Sequence, residues 1–270
     1  LNMITLKSPR EIETMRRSGK ITAKVLSELM QIAKVGMTTK ELDEFAERGI
    51  RELGGVPTFM GYHGYPATIC SSVNDEVVHG IPSDYVLQEG DLLSIDIGTT
   101  LEGYVSDSAV TIPIGTISRE AQQLLDVTQE CLMVGIAQMQ RGNHLGDISA
   151  AVQRHAESHG YGVVRELAGH GVGTAMHEDP QVPNYGKAGT GVELRTGLVL
   201  AIEPMITLGD RKVEILKDGW TVVTADGKLA AHFEHTIAVT DDGPRILTLR
   251  NFGEHPDAAK YVPETERIKA

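Results

Sequence analysis

Apolar residues recur at helical spacing in four segments, which come in two pairs along the chain. The first helix begins with a capping box, in which Ser8 is the N-cap, Pro9 takes the first helical position and Glu11 closes the box. A second box of the same kind opens the next helix at Thr38 or Thr39, and glycines at 54 and 55 end it. The predicted helices cover residues 9–32, 38–53, 118–139 and about 145–159.

Strand-like segments follow each helix pair, and short turns rather than helices connect them. This order differs from the strand and helix alternation of a parallel doubly wound sheet. We therefore predict an α+β fold with a curved, mainly antiparallel sheet backed by helices. The predicted strands cover residues 68–73, 92–97, 104–112, 198–202, 220–224 and 232–239.

The two helix pairs have matching landmarks, which indicate an internal duplication. Gly36 and Gly142 are 106 residues apart, and so are Gly54 and Gly160. We expect a single catalytic domain over residues 3–270, made of two pseudo-symmetric halves at about 3–113 and 117–250.

Acidic residues interrupt strands that otherwise have the pattern of buried ones. Asp96, Glu203 and Glu234 each follow or divide an apolar run. Each could lie on a wet strand face or pair with a lysine or arginine, but burying an unpaired carboxylate costs several kcal/mol or more. Asp107 and Asp96 flank residues 98–106, a predicted hairpin connection, and if they oppose each other their Cβ atoms lie about 5 Å apart. A shared pair of metal ions would satisfy all four acids.

Three histidines lie beside glycines, turns or apolar residues and are candidates for the same site. His170 is enclosed by the glycine-rich segment 168–173, where backbone can pack closely. His79 and His177 have comparable settings, while that of His63 is a weaker signal. A lone histidine is usually a satisfied polar residue, so the argument depends on the set. The remaining histidines, including His144, His155, His159 and His255, are assigned to the surface.

Composition excludes several classes of protein. The 270 residues carry a formal net charge of −12, which disfavours nucleic acid and anionic membranes as partners. Two cysteines in unlike settings, Cys70 and Cys131, form no disulfide framework and fit a reducing compartment. We expect a monomer in the cytoplasm, or in an organelle stroma or matrix if a targeting segment was removed.

Taken together, the motifs resemble type I methionine aminopeptidases over essentially the whole chain, in the same order and at compatible spacing. That resemblance implies the pita-bread fold. It also implies removal of the initiator methionine from peptides and nascent chains, preferentially before a small, uncharged residue. The matching segments are GYHGYP at 61–66, VNDEVVHGIP at 73–82, SIDIG at 94–98, VSDSA at 105–109, GHGVG at 169–173, HEDPQVPNY at 177–185, AIEPM at 201–205, DGWTV at 218–222 and FEHTIAVTD at 233–241.

The resemblance also implies a dinuclear centre, with cobalt, manganese, iron or zinc as the metal. One ion would bind Asp96 and Asp107, and the other Asp107, His170, Glu203 and Glu234. Asp107 and Glu234 would bridge the ions, with a water or hydroxide between them. A monovalent cation near Asn74 and transient contact with the ribosome are further expectations from the resemblance alone.

Catalytic roles and a methionine pocket carry over in the same way. Glu203 would act as general base and then general acid, His79 would assist at the amide nitrogen, and His177 would stabilise the oxyanion. Phe59 and Met176 stand where some members have cysteine and phenylalanine. The residues that would bind substrate are His79, His177, Phe59, Tyr62, Tyr65, Cys70, Met176 and Trp220.

Two other functions are compatible with parts of the pattern. An X-Pro aminopeptidase or dipeptidase would use the same five ligands, but those enzymes usually carry an additional N-terminal domain. A catalytically silent member of the fold would bind peptide, nucleic acid or ribosome, but such proteins typically lose metal ligands. The segment at 61–66 and the complete ligand set favour the methionine-specific peptidase.

Overall fold

The computed structural model describes residues 4–261, so both ends of the predicted domain, residue 3 and residues 262–270, lie outside the described residues. Helices occur in two pairs, each followed by antiparallel strands, as the apolar pattern predicts. The division into two pseudo-symmetric halves stays a prediction. The helices are α1 (Pro9–Ile32), α2 (Thr39–Glu52), α3 (Arg119–Ala137) and α4 (Leu145–Ser158).

Local capping determines where the helices begin. The Ser8 hydroxyl accepts a hydrogen bond from the Glu11 N–H at 3.4 Å, and the Glu11 carboxylate accepts one from the Ser8 N–H at 2.7 Å. This confirms the predicted capping box, and Thr38 forms the same arrangement at α2. Helix α3 ends at Ala137, two residues before Met139, where the sequence predicted its end.

Fifteen strands lie within residues 4–261, many of them only two or three residues long. Every pairing among them is antiparallel. The strands are β1 (Val56–Pro57), β2 (Ile69–Val73), β3 (Glu76–Val78), β4 (Leu92–Leu101), β5 (Tyr104–Pro113), β6 (Gly162–Val163), β7 (Gly169–Gly171), β8 (Glu178–Val182), β9 (Val199–Ile202), β10 (Met205–Thr207), β11 (Val213–Ile215), β12 (Val222–Thr224), β13 (Ala230–His232), β14 (His235–Thr240) and β15 (Gly243–Ile246).

The longest pairing is the hairpin of β4 and β5, which extends to the pair Leu101 and Tyr104. Glu102 and Gly103 alone form the turn, with φ of 51° and 81°. Two residues of positive φ make the tight turn whose twist matches that of the strands. The predicted connection over residues 98–106 was therefore wrong, because most of that segment is strand.

A second sheet has the order β15, β14, β9, β7, β8 and joins β5 along a short seam. There the Glu234 N–H donates to the Ala109 carbonyl at 2.9 Å. The Thr236 hydroxyl accepts from the Asp107 N–H at 2.9 Å and donates to the Asp107 carbonyl at 2.8 Å. The seam places Asp107 and Glu234 on neighbouring chain segments.

The predicted strand over residues 232–239 is two strands. His232, in β13, pairs with Met205, whereas His235, in β14, pairs with Ile202. The chain therefore changes its partner strand between these residues. On the partner side, Glu203 lies in the gap between β9 and β10. This break leaves Glu234 outside regular pairing.

The core lies between the helices and the strands. Val25 and Leu29 of α1 and Ile95 and Ile97 of β4 are fully buried in one cluster. Each such side chain contributes about 1.5–3 kcal/mol on burial. Both cysteines are free and buried. No helix in the described part of the chain is long and apolar enough to cross a membrane.

Candidate metal centre

Two acids of the hairpin face the same side of the sheet. Asp96 of β4 pairs with Ala109, and Asp107 of β5 pairs with Gly98. The two aspartates are therefore diagonal neighbours on one face, and the expectation that they directly oppose each other was wrong, because the two-residue turn sets the register. Diagonal side chains remain close enough to interact, and the neighbouring Asp107 contributes to raising the pKa of Asp96.

Three further side chains converge on Asp107 from the second sheet. Glu203 follows β9 directly, Glu234 lies at the seam, and His170 is the central residue of β7. The His170 Nε2 atom lies 3.6 Å from Asp107 Oδ2 and 3.6 Å from Glu203 Oε1. Ligand atoms of Asp107, His170 and Glu234 all lie within 4.8 Å of one another. All five predicted ligands line one cavity.

Glycines allow His170 to reach this position. A Cβ atom on Gly169 would lie 2.4 Å from the Ala201 carbonyl oxygen, and one on Gly171 would lie 2.4 Å from the Asp179 carbonyl oxygen. Both distances are too short for any side chain. The close approach of backbone that the glycine-rich segment predicts is present here, and it brings β7 against β9 and β8.

The acids are in an environment that disfavours their ionised forms. Burial and neighbouring carboxylates raise the pKa of Asp96, Glu203 and Glu234 well above the ordinary value, and burial raises that of Asp107. Among the described residues, three buried carboxylate oxygens have no hydrogen-bond partner, namely Asp96 Oδ1, Asp107 Oδ1 and Glu234 Oε1. Unpartnered acceptors on clustered carboxylates beside one imidazole match the donors that divalent cations use. The residues therefore fit a pair of metal ions.

Two histidines border the acid cluster. The His177 ring lies 4.3 Å from that of His170, measured between centroids, and its Nδ1 atom is 2.7 Å from the Tyr62 hydroxyl. Desolvation lowers the pKa of both His177 and His79 to about 4, with the neighbouring His170 and His177 respectively adding to the effect. Both rings are consequently neutral at pH 7. His63 also lines the cavity but is exposed at its edge.

An apolar pocket adjoins the acids. Tyr65 meets Trp220 edge to face with 5.1 Å between the ring centroids, and its hydroxyl donates to the Ile69 and Gly80 carbonyls, both at 3.0 Å. Cys70 pairs with Asp96 across the strands. Burial raises the pKa of the Cys70 thiol well above its usual value, so it acts as an apolar wall rather than a nucleophile. The predicted pocket residues Phe59, Tyr62, Tyr65, Cys70, Met176 and Trp220 all line this cavity.

Sequence reasoning overlooked two buried histidines. His232 and His235 are each 1% exposed, so their assignment to the surface was wrong. His235 bonds to Thr248 and Glu254, away from the cavity. His232 instead places Nε2 at 3.7 Å from Glu203 Oε2. The signal available was its setting beside Ala230, Ala231 and a phenylalanine.

The segment around Asn74 is well ordered by its own hydrogen bonds. The Asn74 amide donates to Asp91 at 2.9 Å and accepts from the Leu92 N–H at 2.9 Å, and its carbonyl accepts from the Ala230 N–H at 3.0 Å. A monovalent cation here stays a prediction.

Comparison with known proteins assigns the family. The sequence pattern of metallopeptidase family M24 matches residues 13–241. The chain belongs to metallopeptidase family M24. Membership makes the chain a hydrolase of peptide bonds and implies divalent metal ions in the site.

Individual relatives narrow the resemblance within family M24. A methionine aminopeptidase of Clostridium acetobutylicum is 52% identical over 248 residues, which are 92% of this chain and 99% of that protein. The crystal structure of a methionine aminopeptidase from Thermotoga maritima matches with a TM-score of 0.90 at 45% identity, over 91% of this chain and 99% of that one. These findings confirm the predicted resemblance to methionine aminopeptidases.

A more distant relative, a prolidase, has a similar fold at low sequence identity. The prolidase of Pyrococcus furiosus matches with a TM-score of 0.76 at 21% identity, over 92% of this chain but 66% of that one. At this identity the likeness shows the fold alone. The predicted pita-bread fold is confirmed by both structures.

Proposed function

We propose that the chain removes the N-terminal methionine from peptides and nascent proteins, preferentially when the next residue is small and uncharged. The observation that carries this proposal is the apolar pocket of Tyr65, Cys70 and Trp220 directly beside the acid cluster. A methionine side chain suits such a pocket, since its thioether is flexible and makes favourable contacts with aromatic rings. The identity to methionine aminopeptidases supports the same specificity.

Two divalent ions would be held by Asp96, Asp107, His170, Glu203 and Glu234. One imidazole with four carboxylates is a hard donor set that suits Mn²⁺, Fe²⁺ or Co²⁺ and also accepts Zn²⁺. When bound, the ions polarise the scissile carbonyl and lower the pKa of a water molecule between them. The free amine of the substrate is placed on the Asp96 side, which limits cleavage to the first residue.

Glu203 moves the proton in this proposal. Its side chain is 15% exposed and its Oε1 atom faces His170, so it borders both the acid cluster and the cavity. The carboxylate accepts the proton of the attacking water and delivers it to the departing amine.

The two neutral histidines stabilise the reacting amide. We assign the Tyr62 hydroxyl as donor to His177 Nδ1, which leaves Nε2–H of His177 free to donate to the developing oxyanion. His79 lines the same cavity and donates to, or assists departure of, the amide nitrogen. Neutral rings suit both roles, because each supplies one N–H donor without adding a positive charge beside the ions.

The remaining expectations belong to the same proposal. We place the enzyme in the cytoplasm as a monomer that acts on nascent chains, in transient contact with the ribosome. The net charge of −12 argues against nucleic acid and anionic membranes as partners. A silent binding module is disfavoured because the predicted ligands line one cavity together with His79 and His177.

The decisive assay measures methionine released from Met-Ala-Ser by metal-stripped protein to which Mn²⁺, Co²⁺ or Fe²⁺ is restored. An Xaa-Pro peptide is run in parallel. Cleavage of Met-Ala-Ser alone, dependent on added metal, supports the proposal. Preference for the proline peptide would support the metal centre but refute the proposed specificity for methionine. No cleavage with any metal would favour the binding module.

A further inference from the structure

His232 is a buried histidine whose ring makes no hydrogen bond to the described residues. Neither Nδ1 nor Nε2 has a hydrogen-bond partner within residues 4–261, and the residue is 1% exposed. A neutral imidazole always carries one N–H, and leaving a buried donor unsatisfied is unfavourable. A native protein therefore needs a reason to keep such a side chain here.

Backbone contacts hold His232 close to Glu203. Its N–H donates to the Thr111 hydroxyl at 2.8 Å and its carbonyl accepts from the same hydroxyl at 2.9 Å. On the other side, His232 pairs with Met205, two residues after Glu203. This pairing brings His232 Nε2 to 3.7 Å from Glu203 Oε2.

The two oxygens of Glu203 consequently face different histidines. Oε1 lies 3.6 Å from the predicted ligand His170, and Oε2 faces His232. A hydrogen bond of ordinary length requires His232 and Oε2 to approach by about 0.7 Å. Outer hydrogen bonds of this kind orient the carboxylates that bind metal ions.

We propose that His232 is a positioning residue whose Nε2–H holds Oε2 of Glu203, so that Oε1 is directed at the metal ions. This inference rests on the proposed function of the acid cluster, but it concerns a residue outside the predicted ligand and substrate set. The Nε2–H donor is the property that matters, so a glutamine of similar reach should replace His232 better than an apolar side chain.

The test compares His232→Leu with His232→Gln. Binding of Mn²⁺ to metal-free protein is measured by calorimetry, and kcat and KM are measured with Met-Ala-Ser. We expect His232→Leu to weaken binding of the ion that uses Glu203 and to lower kcat by about 10–100-fold, with KM changed much less. His232→Gln should recover most of both losses.

Thermal unfolding of the metal-free variants checks that each is folded. Should His232→Leu fail to fold, His232→Ala, which also lacks the donor, replaces it. Mn²⁺ affinity and kcat equal to wild type in a folded variant without the donor would overturn the proposal, and so would a folded His232→Gln as impaired as His232→Leu. Wild type that binds Mn²⁺ but releases no methionine would refute the proposed function, while the calorimetric comparison would still test His232.

A second, independent observation concerns Glu130, His155 and His159 on the outer surface of the helices. Glu130 lies in α3, and the histidines lie at i and i+4 where α4 ends. His155 Nε2 is 2.8 Å from Glu130 Oε2, and one ligand atom from each residue lies within 4.8 Å of the others. This group lies apart from the acid cluster, on residues to which the proposed reaction gives no role.

Local hydrogen bonding prepares His159 as a ligand. Its Nδ1–H donates to the His155 carbonyl at 2.8 Å, which fixes the tautomer and leaves Nε2 with a lone pair. The carboxyl end of a helix also favours a cation. We propose that these three side chains form a peripheral site for an imidazole-preferring ion such as Zn²⁺, in which the ion replaces the Nε2 proton of His155 and links α3 to α4.

The number of zinc ions bound per protein tests this site. His159 is the residue to substitute, because it is exposed and has no role in the proposed reaction. Dialysed wild type should hold one more Zn²⁺ than His159→Ala, whereas His144→Ala, at the other end of α4, should match wild type. Methionine release by His159→Ala should equal that of wild type. Equal zinc content in wild type and His159→Ala would overturn the proposal.

Discussion

Removing the metal ions should make stability depend on pH in a way that reports the acid cluster directly. The pKa values of Asp96, Glu203 and Glu234 are raised well above the unfolded value of about 4. Between the unfolded and folded values the native protein binds more protons than the unfolded chain. Its free energy of unfolding therefore falls as pH rises through that range.

The buried histidines change the free energy of unfolding with pH in the opposite direction, which limits the pH range in which the acids can be observed alone. Their folded pKa values are depressed, so their contribution is lost as pH falls below the unfolded value of about 6.5 and is complete above it. Burial also raises the pKa of both thiols, which adds a further loss of stability only above about pH 8.5. The histidines concerned are His79, His170, His177, His232 and His235.

Between pH 7 and 8.5 the carboxylates of the cluster therefore dominate. A carboxyl group that keeps its proton across the whole window contributes a slope of about 1.4 kcal/mol per pH unit, and a single such group gives a loss of about 2 kcal/mol. For a domain of this size that loss lowers Tm by about 4–8 °C. Protein loaded with Mn²⁺ should lack this slope, because its carboxylates are already ionised.

Denaturant unfolding of metal-free and Mn²⁺-loaded protein at pH 7.0, 7.75 and 8.5 measures both slopes. Glu234→Gln is the matched control, since it removes one acid with little change in shape and should flatten the slope of the metal-free protein. The reasoning is refuted if metal-free wild type is equally stable at both ends of the window to within about 0.5 kcal/mol. A Mn²⁺-loaded protein that loses stability as steeply would refute it as well.

Four substitutions test the other assignments. Asp107→Ala should lose bound metal and activity together, and normal metal content by mass spectrometry would contradict its role as a shared ligand. His79→Ala should keep its metal but lower kcat by about 100-fold or more, and an unchanged kcat would remove it from the mechanism. Trp220→Ala should raise KM for Met-Ala-Ser by about tenfold, since it removes a wall of the pocket, and an unchanged KM would exclude it. Gly171→Ala should destabilise the fold by about 1–3 kcal/mol, because its Cβ would lie 2.4 Å from the Asp179 carbonyl oxygen, and an unchanged Tm would contradict this steric argument.

Features with local causes could be predicted from the sequence. Capping boxes at Ser8 and Thr38 place the starts of α1 and α2, because the groups that satisfy the first free N–H donors lie within four residues. The acids were recognisable for a similar reason, since a carboxylate within an apolar run contradicts its surroundings. Asp96 and Glu203 stand out in this way without any knowledge of their partners.

Features determined by the register and partners of the strands could not be predicted. The diagonal relation of Asp96 and Asp107 follows from a turn of only two residues, and one further residue would have changed the register. His232 was overlooked because its strand has three residues and pairs with Met205, far away in sequence. Three residues are too few to show the apolar and polar alternation of a strand, so the sequence does not indicate that His232 is buried.

The seam between the sheets explains how a cluster of acids can be held open inside a packed protein. Regular pairing would fill this space with side chains, but here the Thr236 hydroxyl satisfies both the N–H and the carbonyl of Asp107, and the Ser108 hydroxyl donates to the Glu234 carbonyl at 2.8 Å. Backbone of two potential ligands is thereby fixed without a continuous ladder. Their carboxylates can therefore face the cavity. The unfavourable free energy of bringing these acids together is part of the free energy of folding, so the site is already arranged when ions bind.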